Sequence, residues 1–304
     1  KPKAWLHQLK FAVGLAARRR AVRALSEHTQ KAEVQDGLFR QVEDCDAFFA
    51  LRADCAVALA KRPPTPQPER LLKAVCELPN WAKRMALPAL GKHADEATKA
   101  WLAQTLAEHP SEYVAGAAAR ALGATRDEAY LPALIAALSR ESYRDLIRCG
   151  AAAALGNFPT EQSIEALDSL LDRGTPPNGR ALAISSTARI AALLEERVRE
   201  TVRLRLEPLL GDPELRIRVR MLGALATLGV PASLGAIHGV AENDLFGITR
   251  RAARDAAKRL GTTVARRSND GAIGKSIEKL RKQHQTTQSK LAALTDQMEA
   301  LNRR

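Results

Sequence analysis

The segment RCGAAAALGN, residues 148–157, places four consecutive alanines between two glycines, Gly150 and Gly156. Alanine is the strongest helix former, whereas glycine in a helix interior costs about 1 kcal/mol. The segment therefore predicts a helix with very little side-chain volume. We expect such a helix where two backbones approach closely, because small residues at a contact bring helices to the near end of the usual range of about 8–10 Å.

Segments of this type recur along the chain: each has an arginine, a stretch of alanines and then Leu-Gly or a close variant. VAGAAARALG ends at Gly123, RVRMLGALATLG at Gly229 and ITRRAARDAAKRLG at Gly261. We expect each terminal glycine to stop its helix, because glycine enters the left-handed conformation without steric cost. A period of about 31–38 residues is typical of a helical solenoid. The leucines near the eight ends are Leu25, Leu59, Leu90, Leu122, Leu155, Leu193, Leu228 and Leu260.

A second helix follows each alanine-rich segment. Residues 128–140 and 161–173 carry apolar residues at the i, i+3, i+4 and i+7 positions of an amphipathic helix, and Thr160 is a suitable N-cap. The sequence thus predicts an all-α fold, a right-handed α-α superhelix of about eight helix pairs over residues 1–261. Solenoids offer extended concave faces for protein or peptide ligands. Candidates for that face, on predicted second helices, are Lys73, Lys99 and Tyr130.

Composition disfavours two classes of protein. Only 4% of the residues are aromatic, which disfavours a fold built of β-sheet. No run of about 18 apolar residues is present, so the sequence predicts no membrane-spanning helix. The first residues, KPKAWLHQLK, include neither an initiator Met nor the apolar core of a signal peptide, which favours a fragment or a processed product. Four cysteines, at spacings unlike those of zinc or C-x-x-C sites, predict small buried thiols in a reducing cytoplasm: Cys45, Cys55, Cys76 and Cys149.

The net charge of +13 raises the question of nucleic-acid binding. The excess lies at the two ends, with about +5 in residues 1–62 and +5 in residues 262–304, whereas residues 63–261 carry only +3. The tryptophans, Trp5, Trp81 and Trp101, fall in separate repeats, where we expect them to pack between helices. The sequence therefore disfavours nucleic acid as the partner.

The chain changes character after Gly261. Residues 262–274 are polar and contain glycine, which predicts a linker. Residues 275–304 then show a heptad pattern, interrupted at His284 and Thr287, which predicts a coiled-coil-like helix that pairs in a homodimer or docks onto the solenoid. Its predicted seam consists of Ile277, Leu280, Leu291, Leu294, Met298 and Leu301.

The repeated pattern over residues 8–261 resembles HEAT repeats. The opening WLHQLKFAVGLAARRRAVRAL, residues 5–25, also resembles the point at which bacterial zinc aminopeptidases of the aminopeptidase N type pass into their C-terminal HEAT array. This second resemblance implies a module that encloses substrate or packs against a catalytic domain carried upstream. The alternative is a stand-alone HEAT-repeat scaffold or adaptor with an oligomerisation tail, and a DNA-binding HEAT-like protein is the third choice.

Catalytic motifs are absent from the sequence. None of the six histidines begins an H-E-x-x-H motif, and the Gly-x-Met-Glu-Asn motif of the aminopeptidase family is missing. Ser185 and Ser186 have no G-x-S-x-G elbow, and GAIGKS, residues 271–276, lacks the full phosphate loop. We therefore expect no catalytic or metal-binding residues and no cofactor in this chain, with zinc only if a catalytic domain precedes it.

Overall fold

The computed structural model describes residues 2–61, 63, 65–267 and 285, and this part of the chain is helical without strands. Alanine-rich and leucine-rich helices alternate, and the eight alanine-rich helices fall on the eight predicted copies. The leucine helices are α1 (Pro2–Phe11), α3 (Ala32–Glu43), α5 (Pro68–Cys76), α7 (Glu96–Glu108), α9 (Leu131–Ala136), α11 (Glu161–Asp168), α13 (Glu196–Leu206) and α15 (Leu234–Asn243). The alanine helices are α2 (Leu15–Leu25), α4 (Phe49–Ala60), α6 (Asn80–Leu90), α8 (Glu112–Thr125), α10 (Leu146–Leu155), α12 (Pro177–Ala191), α14 (Leu215–Leu228) and α16 (247–267).

The helices form two layers, an alanine layer of even-numbered helices and a leucine layer of odd-numbered helices. Each alanine helix packs along the next alanine helix, from α2 against α4 to α12 against α14, whereas successive leucine helices meet at few points. Leucine helices α1, α3, α7 and α11 each pack mainly on the alanine helix that follows them. The chain is therefore a HEAT/armadillo-like helical solenoid, as the sequence predicted. The alanine layer is therefore the closely packed layer of the array.

Glycines set the close spacing at the centre of the alanine layer. A Cβ on Gly116 would lie 2.5 Å from the carbonyl oxygen of Leu146, and one on Gly123 would lie 2.5 Å from Cα of Ala154. Gly150 lies against Gly116 in the same way. The small volume of the segment at 148–157 is thus explained by backbone contact between α8 and α10.

The expected glycine stops are found at only some helix ends. Gly229 adopts the left-handed conformation directly after α14, and α10 ends at Leu155, before Gly156. In contrast, Gly123 lies inside α8, whose end is the left-handed Arg126, and α16 continues helical beyond Gly261 to residue 267. Residues 262–267 therefore continue α16, whereas the structure describes only Gln285 of residues 268–304, so the predicted C-terminal helix and its seam stay a prediction.

Seven of the eight predicted leucines are buried, and Leu193 is the exception. Leu193 is 70% exposed and follows the end of α12, and the buried residue near that end is Ile190. In the sixth copy of the repeat, the predicted leucine thus lies three residues after the buried position. The predicted N-cap at Thr160 is confirmed, because its side chain accepts a hydrogen bond from the backbone N–H of Ser163.

Arginines on five of the alanine helices bond to the end of the preceding leucine helix or to the turn after it. Arg52 donates from Nε to the Val42 carbonyl oxygen at 2.9 Å, and Arg148 donates to that of Leu138 at 2.8 Å. These bonds satisfy carbonyl groups that a helix end leaves without a partner. The same bond is made at corresponding positions by Arg18, Arg218 and Arg250.

Ion pairs then link successive repeats. The side chain of Arg180 pairs with Asp212, and both groups are almost completely buried. Arg218 lies 3.2 Å from Asp244 and thus joins α14 to the turn before α16. Arg189 and Arg254 donate instead to backbone carbonyl oxygens. Ion pairs at the junctions therefore involve only some of the arginines that recur in the repeats.

Candidate binding face

Exposed aromatic residues mark the beginning of successive alanine helices. Phe49 lies at the start of α4, Trp81 at the start of α6 and Tyr113 at the start of α8, and Tyr143 precedes α10 in a 3₁₀ turn. Because alanine helices run in the same direction and pack side by side, their starts lie along one edge of the layer. We call these four residues the aromatic edge. Trp81 and Tyr143 are the most exposed of the four, at 61% and 60%.

Two rings of the aromatic edge contact each other through a shared arginine. The centroids of Trp81 and Tyr113 are 6.2 Å apart with an interplanar angle of 28°. The Arg84 guanidinium lies 4.8 Å from the centroid of Trp81 and 5.2 Å from that of Tyr113. Such cation–π contacts hold large rings in a fixed orientation at the surface. The expectation that every tryptophan packs between helices is therefore wrong for Trp81, whereas Trp5 and Trp101 do pack against the core.

A basic groove continues the same face at its C-terminal end. It lies over α14, between α12 and α16, and consists of two adjoining cavities of about 930 Å³ and 450 Å³ that share Thr227 and Arg259. We call this groove the arginine trough. Its arginines are Arg189, Arg216, Arg220, Arg259, Arg266 and Arg267.

The arginines of the trough have few acidic partners. Arg216 donates to the amide oxygen of Asn178 at 2.6 Å, and Arg189 donates to the carbonyl oxygens of Gly156 and Ala153. Burial lowers the pKa of Arg189, and burial together with neighbouring Arg199 and Arg266 lowers the pKa of Arg267. A lowered arginine pKa means that the surroundings disfavour the positive charge. An anion placed in the trough would relieve that cost.

Lys73, Lys99 and Tyr130 belong to the other layer. Lys73 lies on α5, Lys99 on α7 and Tyr130 in the 3₁₀ turn before α9, so the structure places them away from the closely spaced alanine layer. Lys99 donates to Asp127 at 2.8 Å and to Glu96 at 2.6 Å. Its side chain therefore joins two repeats, and a binding role for these three residues stays a prediction.

The prediction that the cysteines are buried is confirmed for two of the four. Cys55 and Cys149 are buried and burial raises the pKa of both thiols, whereas Cys45 and Cys76 are exposed. Across the described residues, no group of three or more His, Cys, Asp and Glu side chains could hold a metal ion. The helices of that same part of the chain include none long and apolar enough to span a membrane.

Comparison with known proteins identifies the class of repeat. HEAT repeats match residues 68–146 and 98–188, which span α5 to α12. This part of the chain is therefore similar to HEAT repeats, the class of repeat that the alanine pattern resembles. No curated protein matches the sequence.

Three solved structures illustrate the likeness of fold. Human deoxyhypusine hydroxylase in complex with glycerol is 19% identical with a TM-score of 0.37, and the match covers 86% of this chain and 96% of that one. The CpcE–CpcF complex of phycocyanin lyase from Nostoc sp. PCC7120 is 20% identical with a TM-score of 0.41, over 87% and 94%. The HEAT-like repeats protein from Thermococcus onnurineus NA1 is 10% identical with a TM-score of 0.37, over 87% and 98%. Likeness at this level carries no argument about function.

Proposed function

We propose that this chain is a non-catalytic helical-repeat module that binds an extended polypeptide along its alanine layer. The observation that carries the proposal is the aromatic edge, which exposes a large ring on each of four successive repeats. Soluble proteins rarely leave contiguous large apolar side chains exposed unless the surface binds a partner. Aromatic residues and arginine are also the side chains most enriched at binding hot spots.

The spacing of the repeats suits an extended chain. Packed helices lie about 8–10 Å apart, and an extended polypeptide advances about 3.3 Å per residue. About three residues of ligand therefore pass from one alanine helix to the next. Apolar side chains of such a ligand would meet the rings of Trp81 and Tyr113, whose orientation is already fixed by Arg84.

Selection from a library of random linear peptides tests this function. The intact chain is the bait, and the peptides that it enriches are sequenced and synthesised. Each peptide is then titrated against the wild type, a variant of the aromatic edge and a control variant. We expect the double substitution Trp81→Ala with Tyr113→Ala to weaken binding about tenfold or more, which corresponds to about 1.4 kcal/mol. The matched control is Leu204→Ala, an exposed large side chain on α13 in the leucine layer, which should leave affinity unchanged. Enrichment of no peptide, or equal binding by all three proteins, would reject the proposal.

Two proposals for the protein to which this module belongs follow from the resemblances of its sequence. One proposal is the C-terminal region of an aminopeptidase N-type enzyme, with a zinc-binding catalytic domain upstream. The other is a stand-alone cytoplasmic scaffold or adaptor. The fold suits both, and the gene distinguishes them: an H-E-x-x-H motif upstream of Lys1 in the same reading frame supports the enzyme, and a start codon close to Lys1 supports the scaffold.

A further inference from the structure

The arginine trough concentrates positive charge that the protein itself does not neutralise. Glu214 is the one carboxylate among its described lining residues, against six arginines. Asp255 lies one turn before Arg259 on α16 but does not line the trough. Within the described part of the chain, Arg220 and Arg266 have neither a hydrogen-bond nor an ion-pair partner. The trough is thus complementary to an anionic ligand.

The floor of the trough is lined by residues with small side chains, which leave it open. Gly223, Ala224 and Thr227 line the trough along α14, and a Cβ on Gly223 would meet no atom within 4 Å. From Arg216 to Thr227 the helix rises about 16 Å at about 1.5 Å per residue. An extended peptide of about five residues spans that length.

The lining favours a polypeptide over a nucleic acid. Leu215, Val219 and Ile248 stand beside the arginines at the opening of the trough, which is the edge where the aromatic residues of earlier repeats also lie. A ligand that is acidic at one end and apolar beyond it fits both regions, whereas a nucleic-acid backbone is charged along its whole length and has no apolar side chains to place against Leu215, Val219 and Ile248. Planar guanidinium groups bind carboxylates in a bidentate manner.

The rest of this chain does not supply the acidic segment. Residues 268–304, outside the described part, contain seven Lys or Arg against four Asp or Glu. A basic segment does not complement a basic groove. Residues 268–304 are therefore not the acidic ligand.

We infer that the arginine trough over α14 binds an acidic segment of about five residues in a partner polypeptide. This inference rests on the proposed function, because it takes the alanine layer as the peptide-binding face, and it names the charge of the ligand at one end of that face. Carboxylates of the ligand supply partners to Arg220 and Arg266, and they also pair with Arg259, which otherwise donates only to the Gly223 carbonyl oxygen.

Fluorescence anisotropy with a labelled pentaglutamate peptide tests the inference on the intact chain, with a pentaglutamine peptide as the uncharged comparison. We expect Arg220→Glu with Arg259→Glu to lower affinity for pentaglutamate about tenfold or more, because neither substitution removes an ion pair of the fold. Arg197→Glu, on exposed α13 of the leucine layer, is the matched control for net charge. Arg173→Glu is added to it, so that the control carries the same total change in charge as the double variant of the trough. This control pair should leave the affinity for pentaglutamate nearly unchanged.

A second pair of variants tests the location without changing charge. Gly223→Leu fills the open floor of the trough and should abolish pentaglutamate binding, whereas Gly235→Leu, equally open but on α15, should not. Far-UV circular dichroism confirms that each variant remains helical. Equal binding of pentaglutamate and pentaglutamine, or equal loss in the Arg197 and Arg220 variants, would overturn the inference.

Nucleic acid is an outcome of the same assay. A labelled twelve-residue oligothymidylate that binds more tightly than pentaglutamate at equal salt, and loses binding on Gly223→Leu, would also overturn the choice of a polypeptide. Peptides selected through Trp81 and Tyr113 report separately on the proposed function. If those peptides bind and pentaglutamate does not, the peptide-binding face stands and only its acidic specificity is rejected.

Discussion

Gly150 of α10 lies directly against Gly116 of α8, so that any side chain on Gly150 would overlap the carbonyl group of Gly116. This backbone contact explains why the alanine-rich segment also contains a glycine in its interior, where glycine weakens a helix. The loss in helix propensity is offset by contact between two main chains in adjacent repeats.

Replacing Gly150 by alanine should therefore destabilise the protein despite the higher helix propensity of alanine. Overpacking of a core typically costs about 1–3 kcal/mol. Gly223→Ala, at an open position of α14, is the matched control and should stabilise by up to about 1 kcal/mol. Urea denaturation followed by circular dichroism measures both changes. A stabilised Gly150 variant would show that α8 and α10 can separate without cost.

Removal of Asp212 should be the most damaging change at a repeat junction. Its carboxylate pairs with Arg180 inside the protein and accepts a hydrogen bond from the backbone N–H of Glu214 at 2.9 Å. Breaking a buried pair on one side leaves an unpaired charge, which costs about 3–5 kcal/mol. Asp168→Ala breaks the exposed pair with Arg205 and should cost about 1 kcal/mol or less. Similar free energies of unfolding for the two variants would contradict the burial of the Arg180 pair.

The Asp127 pair should contribute to acid sensitivity. Hydrogen bonding from Lys99 and from the backbone N–H of Ala129 lowers the pKa of Asp127. A carboxyl whose pKa is lower in the folded state stabilises the protein above its unfolded-state pKa of about 3.9, and that contribution is lost as the pH falls through the folded value. The free energy of unfolding of Asp127→Asn should thus approach that of the wild type below pH about 4. In a Lys99→Met background the substitution should have a smaller effect on the pH profile.

The C-terminal heptads predict self-association. Deletion of residues 275–304 should convert a dimer into a monomer, because the apolar seam is then lost. Light scattering coupled to size exclusion gives the mass of each form. A monomer mass for the complete chain, unchanged by the deletion, would exclude the dimer and leave docking of the heptads as the remaining prediction.

The repeat architecture could be predicted because each repeat carries its pattern within a short segment of the sequence. Each alanine helix carries its own pattern of arginine, alanine and leucine, so eight copies reinforce one another in the sequence. Leu193 shows the limit, since it satisfied the pattern while the buried position was taken by Ile190. A single misplaced leucine did not disturb the period.

The binding face could not be predicted in the same way. Arg189, Arg220 and Arg259 lie on three different helices, and their charges meet only through the packing of α12, α14 and α16. The near-neutral total over residues 63–261 concealed this segregation, since acidic residues of the same region pair elsewhere. The recurrence of aromatic residues about 32 residues apart, at Phe49, Trp81 and Tyr113, was the one signal in the sequence that pointed to the face.

The glycine contacts between α8 and α10 also have a mechanical consequence. Two main chains already in contact cannot be pressed closer, whereas the wider spaces between leucine helices are filled by side chains that can adjust. The centre of the array therefore resists any motion that would bring α8 and α10 closer together. A partner on the alanine layer would meet a surface that cannot close around it by drawing these two helices inward.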